Sequence, residues 1–282
     1  MDARRQERPR RRLVHPAGLR RREGRPARPR PGAGPMNSTQ TRGEIAMAGT
    51  RPATPQAMFT KIAPRYDLVN SLLTLGGDKR LRRRAVRTLR LGFGAEVLDI
   101  AAGTAEIGSA IAAVYEDPVS YRAVDLNEQM LAVAERKFAR LRRKRPRNDY
   151  RSSLGSAESL DFASSSFDAV VMCFALDDMD DPAAALAETA RVLRADGKFL
   201  LIELAMPDSP LLRGILKFRL RVIRAVAAVA RMDSVAHMTR EVELDRGAEH
   251  TVVRCEHAGF AVDSAQRHLG GLVRAYVFRK AA

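Results

Sequence analysis

The chain has 282 residues, 45% of them hydrophobic, enough to bury one large core or two small ones. Its net charge of +16 is unevenly placed, because residues 1–35 hold twelve Arg against Asp2, Glu7 and Glu23. Two cysteines, Cys173 and Cys255, rule out a disulfide framework and a Cys/His metal cluster, which suits a reducing cytoplasm.

Residues 1–35 are rich in Pro, Gly and Arg and nearly lack aliphatic side chains, so they cannot bury enough surface to fold. They lack the apolar run of a secretory signal, and their prolines spoil the amphipathic helix of a transit peptide. A disordered tail is expected over residues 1–55, with a folded domain over 56–282. Met36, Met47 and Met58 leave open a later translation start.

Beyond the tail, strand and helix patterns alternate. Strands are predicted at Glu96–Ile100, Ser120–Val124, Asp149–Leu154, Phe167–Cys173, Lys198–Leu204, Ala261–His268 and Leu272–Phe278. Helices are predicted between them, including Asn127–Arg140 and Pro182–Leu193. Alternating βα units imply an α/β fold with a mostly parallel sheet covered on both faces. The short gap at Leu269-Gly-Gly suits a hairpin and an antiparallel edge. The basic stretches Lys79–Arg90 and Arg136–Arg147 lack the interleaved aromatics of a single-strand binder and read as solvated helix faces. No apolar run approaches the roughly 20 residues of a spanning helix.

The most informative stretch is Val97-Leu-Asp-Ile-Ala-Ala-Gly-Thr-Ala-Glu. An apolar run ends in Asp99, turns through small residues and opens a helix near Ala105; a second apolar run then ends in Asp125. The turn lets backbone approach a ligand, and an acid at the end of the next strand can accept hydrogen bonds from a ribose diol. Only Gly103 is glycine, and Ala101, Ala102 and Ala105 put Cβ atoms where a pyrophosphate would press on the backbone. S-adenosylmethionine, which presents an amino acid and no phosphate, suits the turn better, with Asp99 receiving its ammonium. The bland alternative is an ordinary βαβ turn packed with alanines.

Further blocks flank this turn: Phe59-Thr-Lys-Ile-Ala-Pro-Arg-Tyr-Asp-Leu-Val-Asn and Thr74-Leu-Gly-Gly before it, Val124-Asp-Leu-Asn-Glu-Gln-Met-Leu, Gly155-Ser-Ala-Glu and Ser166-Phe-Asp-Ala-Val-Val-Met-Cys after it. Arg191-Val-Leu-Arg-Ala-Asp-Gly-Lys, Leu201-Ile-Glu-Leu-Ala-Met-Pro and Leu269-Gly-Gly-Leu-Val complete the series. In this order and spacing, residues 57–282 resemble the ubiquinone/menaquinone biosynthesis C-methyltransferase family. The resemblance implies a Rossmann-like sheet of seven strands with an antiparallel C-terminal edge strand, and a methyltransferase using S-adenosylmethionine. It also implies a small lipophilic quinol as the methyl acceptor, while the missing aromatic platform argues against a nucleic-acid partner. By resemblance the cofactor set is Asp99, Gly103, Thr104, Asp125, Leu126, Ser156, Ala157 and Cys173. Thr104 would approach the methionine portion, Asp125 the ribose, Ser156 and Ala157 the adenine edge, and Cys173 the cofactor from the fourth strand. Plainer roles compete: a helix cap for Asp125, a loop hydroxyl for Ser156 and core packing for Cys173.

Methylating a quinol carbon requires a group that takes the phenolic proton. Tyr66 comes first and Asp178 second, ahead of His237 and His268. Two departures from the family stand out. Ala175-Leu-Asp177-Asp178 replaces the usual Gly-Leu-Arg-Asn, inverting the charge beside the acceptor, and Ala105 replaces the last glycine of the cofactor turn. The first keeps open a phenolic natural product or an amino lipid as acceptor, and a non-catalytic partner protein is the remaining alternative.

Residues 205–245 read as a cap or a membrane-facing insertion. Within them Leu211, Ile215, Phe218, Val222, Val226 and Val229 form one helical stripe, and Arg213, Lys217, Arg221, Arg224 and Arg231 another. Such a basic amphipathic helix over 211–231 either lies peripherally on an anionic membrane or covers the crevice with its apolar face.

Overall fold

The computed structural model describes residues 60, 63, 67, 71, 76–207, 209–229 and 248–281. All of them fall in the unit Thr50–Ala282. The expected tail over 1–55, with Met36 and Met47, and also Met58, Tyr66, Arg231 and His237, lies outside the described residues.

The elements run α1 (Asp78–Arg87), β1 (Ala95–Ile100), α2 (Glu106–Val114), β2 (Val119–Asp125), α3 (Glu128–Lys144), β3 (Asp149–Leu154) and β4 (Phe167–Cys173). A 3₁₀ turn (Leu176–Asp178) leads to α4 (Pro182–Val192), β5 (Leu193–Leu204), α5 (Pro210–Val229), α6 (Ala248–His257), β6 (Phe260–His268) and β7 (Val273–Lys280). The seven strands form one sheet in the order β3-β2-β1-β4-β5-β7-β6. The first five are parallel, while β7 runs antiparallel to both β5 and β6.

Period-two alternation divides the central strands between two cores. Val97 and Val171 face a cluster with Ala85, Ile111, Tyr121 and Phe138, whereas Leu98, Ile100, Val170 and Met172 face one with Leu186, Phe199 and Phe260. Strands covered on both faces are largely apolar, and β1 and β4 read as hydrophobic runs interrupted at Glu96 and Asp99 in β1 and at Asp168 in β4. On one face Tyr121 meets Phe138 edge-on at 5.8 Å between ring centroids; on the other Phe199 stacks on Phe278 at 5.8 Å.

Local signals set the helix starts. The Asn127 side chain accepts from the N–H groups of Gln129 and Met130 and caps α3, while Asp181 does the same for Ala183 and Ala184 ahead of Pro182. The basic face expected at Lys79–Arg90 is only partly solvated: Arg82 is buried and paired with Asp78 at 3.1 Å. β5 begins earlier than its expected start at Lys198, because Leu193 pairs with Phe167 before a bulge resets the register at Lys198 opposite Ala169.

The β6–β7 hairpin turns through Leu269, Gly270 and Gly271, all at positive φ. Gly270, at φ 68°, is held in a conformation that favours glycine, and a Cβ there would need only the exposed Leu212 side chain of α5 to shift. The hairpin is the antiparallel edge, with β6 outermost and β7 inserted beside β5. α5 buries Leu216 and Leu220 and leaves Leu211, Ile215, Phe218 and Val222 exposed. No helix among the described residues is long and apolar enough to cross a membrane.

Candidate active site

A cavity of about 270 Å³ lies at the carboxyl ends of β1, β2 and β4. In the sheet β1 has β2 on one side and β4 on the other, so this is the point where the strand order reverses. The turn after β1 contributes Ala101 and Gly103, and the β2–α3 junction Asp125, Leu126, Asn127 and Met130. The loop after β3 adds residues 155–158, and the segment after β4 adds Cys173, Phe174, Ala175, Asp178, Met179 and Asp180.

The turn after β1 is wound left-handed: Ala101, Gly103 and Ala105 have φ of 52°, 54° and 56°. For a residue with a Cβ this region costs roughly 1–2 kcal/mol, so the neighbours must hold the turn in place. Asp125 is one of them. Its Oδ2 accepts the Gly103 N–H at 2.7 Å and its Oδ1 the Asn127 N–H at 2.8 Å. Burial pushes the Asp125 carboxyl above its ordinary value, and these two N–H donors pull it back. The α3 cap is Asn127, so Asp125 is left facing the cavity.

Asp99 and Thr104 sit behind the wall rather than in it. Asp99 is 1% exposed and its Oδ2 accepts the Tyr121 hydroxyl. Its Oδ1 is buried with no hydrogen-bond partner. Burial pushes the Asp99 carboxyl up to about 7, against the pull of the Tyr121 hydroxyl and the Arg82 charge. A buried carboxylate oxygen left without a donor, at the root of a turn that lines a cavity, fits a ligand ammonium. Thr104 donates to Asp67 at 2.6 Å, Asp67 pairs with Lys137 at 2.6 Å, and Lys137 reaches Glu106 at 2.5 Å. The Asn127 side chain meanwhile donates to Thr60 Oγ1 at 2.9 Å. The amino-terminal block is thereby tied to both edges of the cofactor turn.

On the opposite wall, burial pushes the Cys173 thiol up to about 12, so it is a neutral packing group and not a nucleophile. Phe174 follows at φ 58° with its ring under the Arg82 guanidinium at 5.6 Å. A bulky side chain held in that region signals strain of roughly 1–3 kcal/mol, the kind that collects at functional sites. Asp178 lines the cavity. Asp177 does not; it pairs with Arg254 of α6 at 2.6 Å. Of the two carboxylates expected to invert the charge there, Asp178 alone lines the cavity, and Asp180 adds a further carboxylate to it.

Of the expected site residues, the structure brings Gly103, Asp125, Leu126, Ser156, Ala157, Cys173 and Asp178 to one wall. His268 is not in it, and burial pulls its imidazole below the usual range. Sequence reasoning missed Asn127, Met130, Glu158, Phe174, Met179 and Asp180. The cap pattern at Asn127 was a usable signal; nothing in the local sequence marks the others. Among the described residues the cavity lining carries four carboxylates, Asp125, Glu158, Asp178 and Asp180, and no Lys, Arg or His. Such a wall suits a cationic ligand and repels phosphates.

A model of the ubiE/COQ5 methyltransferase family matches residues 47–278. A ubiquinone/menaquinone biosynthesis C-methyltransferase of Syntrophotalea carbinolica is 33% identical over 78% of this chain and 91% of its own. A demethylmenaquinone methyltransferase of Paenarthrobacter aurescens is 31% identical over 82% of this chain and 87% of its own. Among solved structures, a SAM-dependent methyltransferase from Aquifex aeolicus superposes with a TM-score of 0.51 at 16% identity, covering 71% of this chain and 89% of its own. The [4+2]-cyclase SpnF superposes at 0.53 and 17% identity, covering 79% and 96%. These two superpositions speak to the fold alone, and the second shows that the fold does not dictate the reaction.

Proposed function

Given that the chain belongs to the ubiE/COQ5 methyltransferase family, we propose that it methylates a ring carbon of a demethylated menaquinol- or ubiquinol-type molecule. It is an S-adenosylmethionine-dependent methyltransferase. The observation that carries the reading is the cavity at the carboxyl ends of β1, β2 and β4, whose charged lining residues among those described are all carboxylates, backed by the unpartnered Oδ1 of Asp99. The relatives named for quinone methylation support the acceptor class.

S-adenosylmethionine supplies, when bound, a methyl group already activated on a sulfonium. Asp125 would hold the ribose diol, Asp99 would reach the ammonium through water from behind the turn, and Leu126, Met130 and Ala157 would meet the adenine faces. The protein's main contribution is orientation, worth up to roughly 7–11 kcal/mol when donor and acceptor are well aligned. A quinol carbon becomes nucleophilic when the phenolic oxygen loses its proton. Asp178, which lines the cavity, would take it, and Tyr66 is the alternative from the amino-terminal block.

The same reading places the protein in the cytoplasm, with 56–282 as the methyltransferase domain and 205–245 as a membrane-facing insertion. α5 supports this: Leu211 and Phe218 are 73% and 69% exposed, and Lys217 and Arg221 are exposed beside them. A lipophilic quinol would then reach the site from the bilayer surface.

The test is methyl transfer from labelled S-adenosylmethionine to a short-chain demethylmenaquinol. Label in the ring methyl of the product is expected. Label on oxygen, or none with any quinol while the protein is folded and binds S-adenosylhomocysteine, contradicts the acceptor assignment.

A further inference from the structure

The acceptor wall is held at one residue from two sides. Leu176 opens the 3₁₀ turn that delivers Asp178 to the cavity, and its side chain is buried in the core. Its N–H donates to Glu203 Oε1 at 3.2 Å. Its carbonyl accepts from Arg254 Nη2 at 3.5 Å, and Nη1 of the same guanidinium donates to Asp177 Oδ1 at 2.6 Å. Glu203 stands at the end of β5 and Arg254 on α6, so two separate elements grip one peptide segment.

We propose that Glu203 and Arg254 are positioning residues, a clamp on Leu176 that fixes Asp178 against the acceptor and so sets how tightly the acceptor is held. This rests on the reading of the cavity as a methyltransferase site. The segment needs an external hold. Phe174 just before it is left-handed, its N–H donating to the Ile202 carbonyl at 2.7 Å. With Arg254 supplied from α6, Asp177 is neutralised away from the cavity and Asp178 remains as the turn's charge in the wall.

The clamp is sensitive to pH. Glu203 is buried, facing Asp177 and Asp178 from the loop, Cys173 from β4, Cys255 from α6, and Arg274 opposite it on β7. Burial pushes its carboxyl up to about 8, with the Leu176 N–H pulling down, Asp177 pushing up, the Ala175 N–H pulling down and Asp178 pushing up. Above that value the carboxylate is charged and grips the N–H more strongly. Below it the neutral acid grips weakly.

The experiment uses the full chain, following amide hydrogen exchange of residues 174–178 from pH 7 to 9, corrected for intrinsic rates. S-adenosylhomocysteine affinity and the acceptor KM for a short-chain demethylmenaquinol are measured in parallel. In the wild type, protection of the Leu176 amide grows with pH and the acceptor KM falls. Glu203→Gln is expected to abolish that pH dependence, lower protection and raise the acceptor KM about tenfold at pH 8.5, with cofactor affinity within about twofold. Arg254→Met should loosen the same amides and Arg254→Lys restore part of the protection. Unchanged protection in both Glu203→Gln and Arg254→Met, or protection lost equally across β5 and α6, overturns the clamp. Exchange and cofactor binding need no turnover, so failure of the quinol assignment would leave them readable.

Discussion

The Tyr121 hydroxyl donates to the Asp99 carboxylate, joining β2 to β1 beneath the cofactor turn. The carboxyl sits at about 7 in the fold against an ordinary 3.8, chiefly through burial. An ammonium ligand needs the charged form, so S-adenosylhomocysteine should bind about tenfold more tightly at pH 8 than at pH 6. The folded value is raised, so this proton's contribution to stability is fully present below about pH 4 and is lost as pH rises through about 7. Tyr121→Phe removes a bond to the charged form and should move the binding midpoint to higher pH. Calorimetric titrations across pH 5.5–8.5 check this; a flat profile in the wild type would contradict it.

Ala105, in place of a family glycine, costs little. Its left-handed φ of 56° is worth roughly 1–2 kcal/mol in favour of glycine. Against that stand about 0.8 kcal/mol for a fully buried methyl and about 0.4–1 kcal/mol of chain entropy that glycine would add. The opposing amounts nearly cancel. Ala105→Gly should change unfolding free energy by less than about 1 kcal/mol, read by urea denaturation, and leave cofactor affinity unchanged.

The exposed stripe of α5 predicts a membrane response. The full chain should float with vesicles containing anionic lipid and not with neutral ones, and added salt should release it. Phe218→Asp with Ile215→Asp should abolish flotation without altering S-adenosylhomocysteine binding. Flotation that ignores lipid charge and salt would remove the electrostatic half of the idea.

Asp178→Asn keeps the shape of the wall and removes the proton acceptor. Methyl transfer should fall about 10²- to 10⁴-fold in kcat, with cofactor affinity unchanged. A loss smaller than about tenfold would hand the role to Tyr66.

Much of this was legible in the sequence, for physical reasons that differ by element. β1 and β4 are largely apolar on both faces because both are covered, and Asn127 and Asp181 sit where helix caps belong, so their boundaries follow from local chemistry. Asp125 was legible because the strand–turn–helix geometry fixes its place. Through-space pairings were not. Nothing local ties Tyr121 to Asp99, Arg254 to Asp177 or Glu203 to Leu176, because each pair is closed by sheet order and register. α5 shows a further limit: periodicity says which residues share a face but not which face turns inward. Here Leu216 and Leu220 are buried while Leu211, Ile215, Phe218 and Val222 of the apolar stripe are exposed. Likewise a hairpin was readable at Leu269-Gly-Gly, but the insertion of β7 beside β5 depends on the whole sheet.

The most direct measurement is a calorimetric titration of the full chain with S-adenosylhomocysteine, beside Asp125→Ala. That variant loses the ribose acceptor and releases the Gly103 N–H it holds at 2.7 Å. Micromolar binding by the wild type, weakened at least about tenfold or about 1.4 kcal/mol in the variant, is the predicted result. A folded wild-type protein that does not bind, or a variant that binds equally well, would contradict the account of this cavity as the cofactor site.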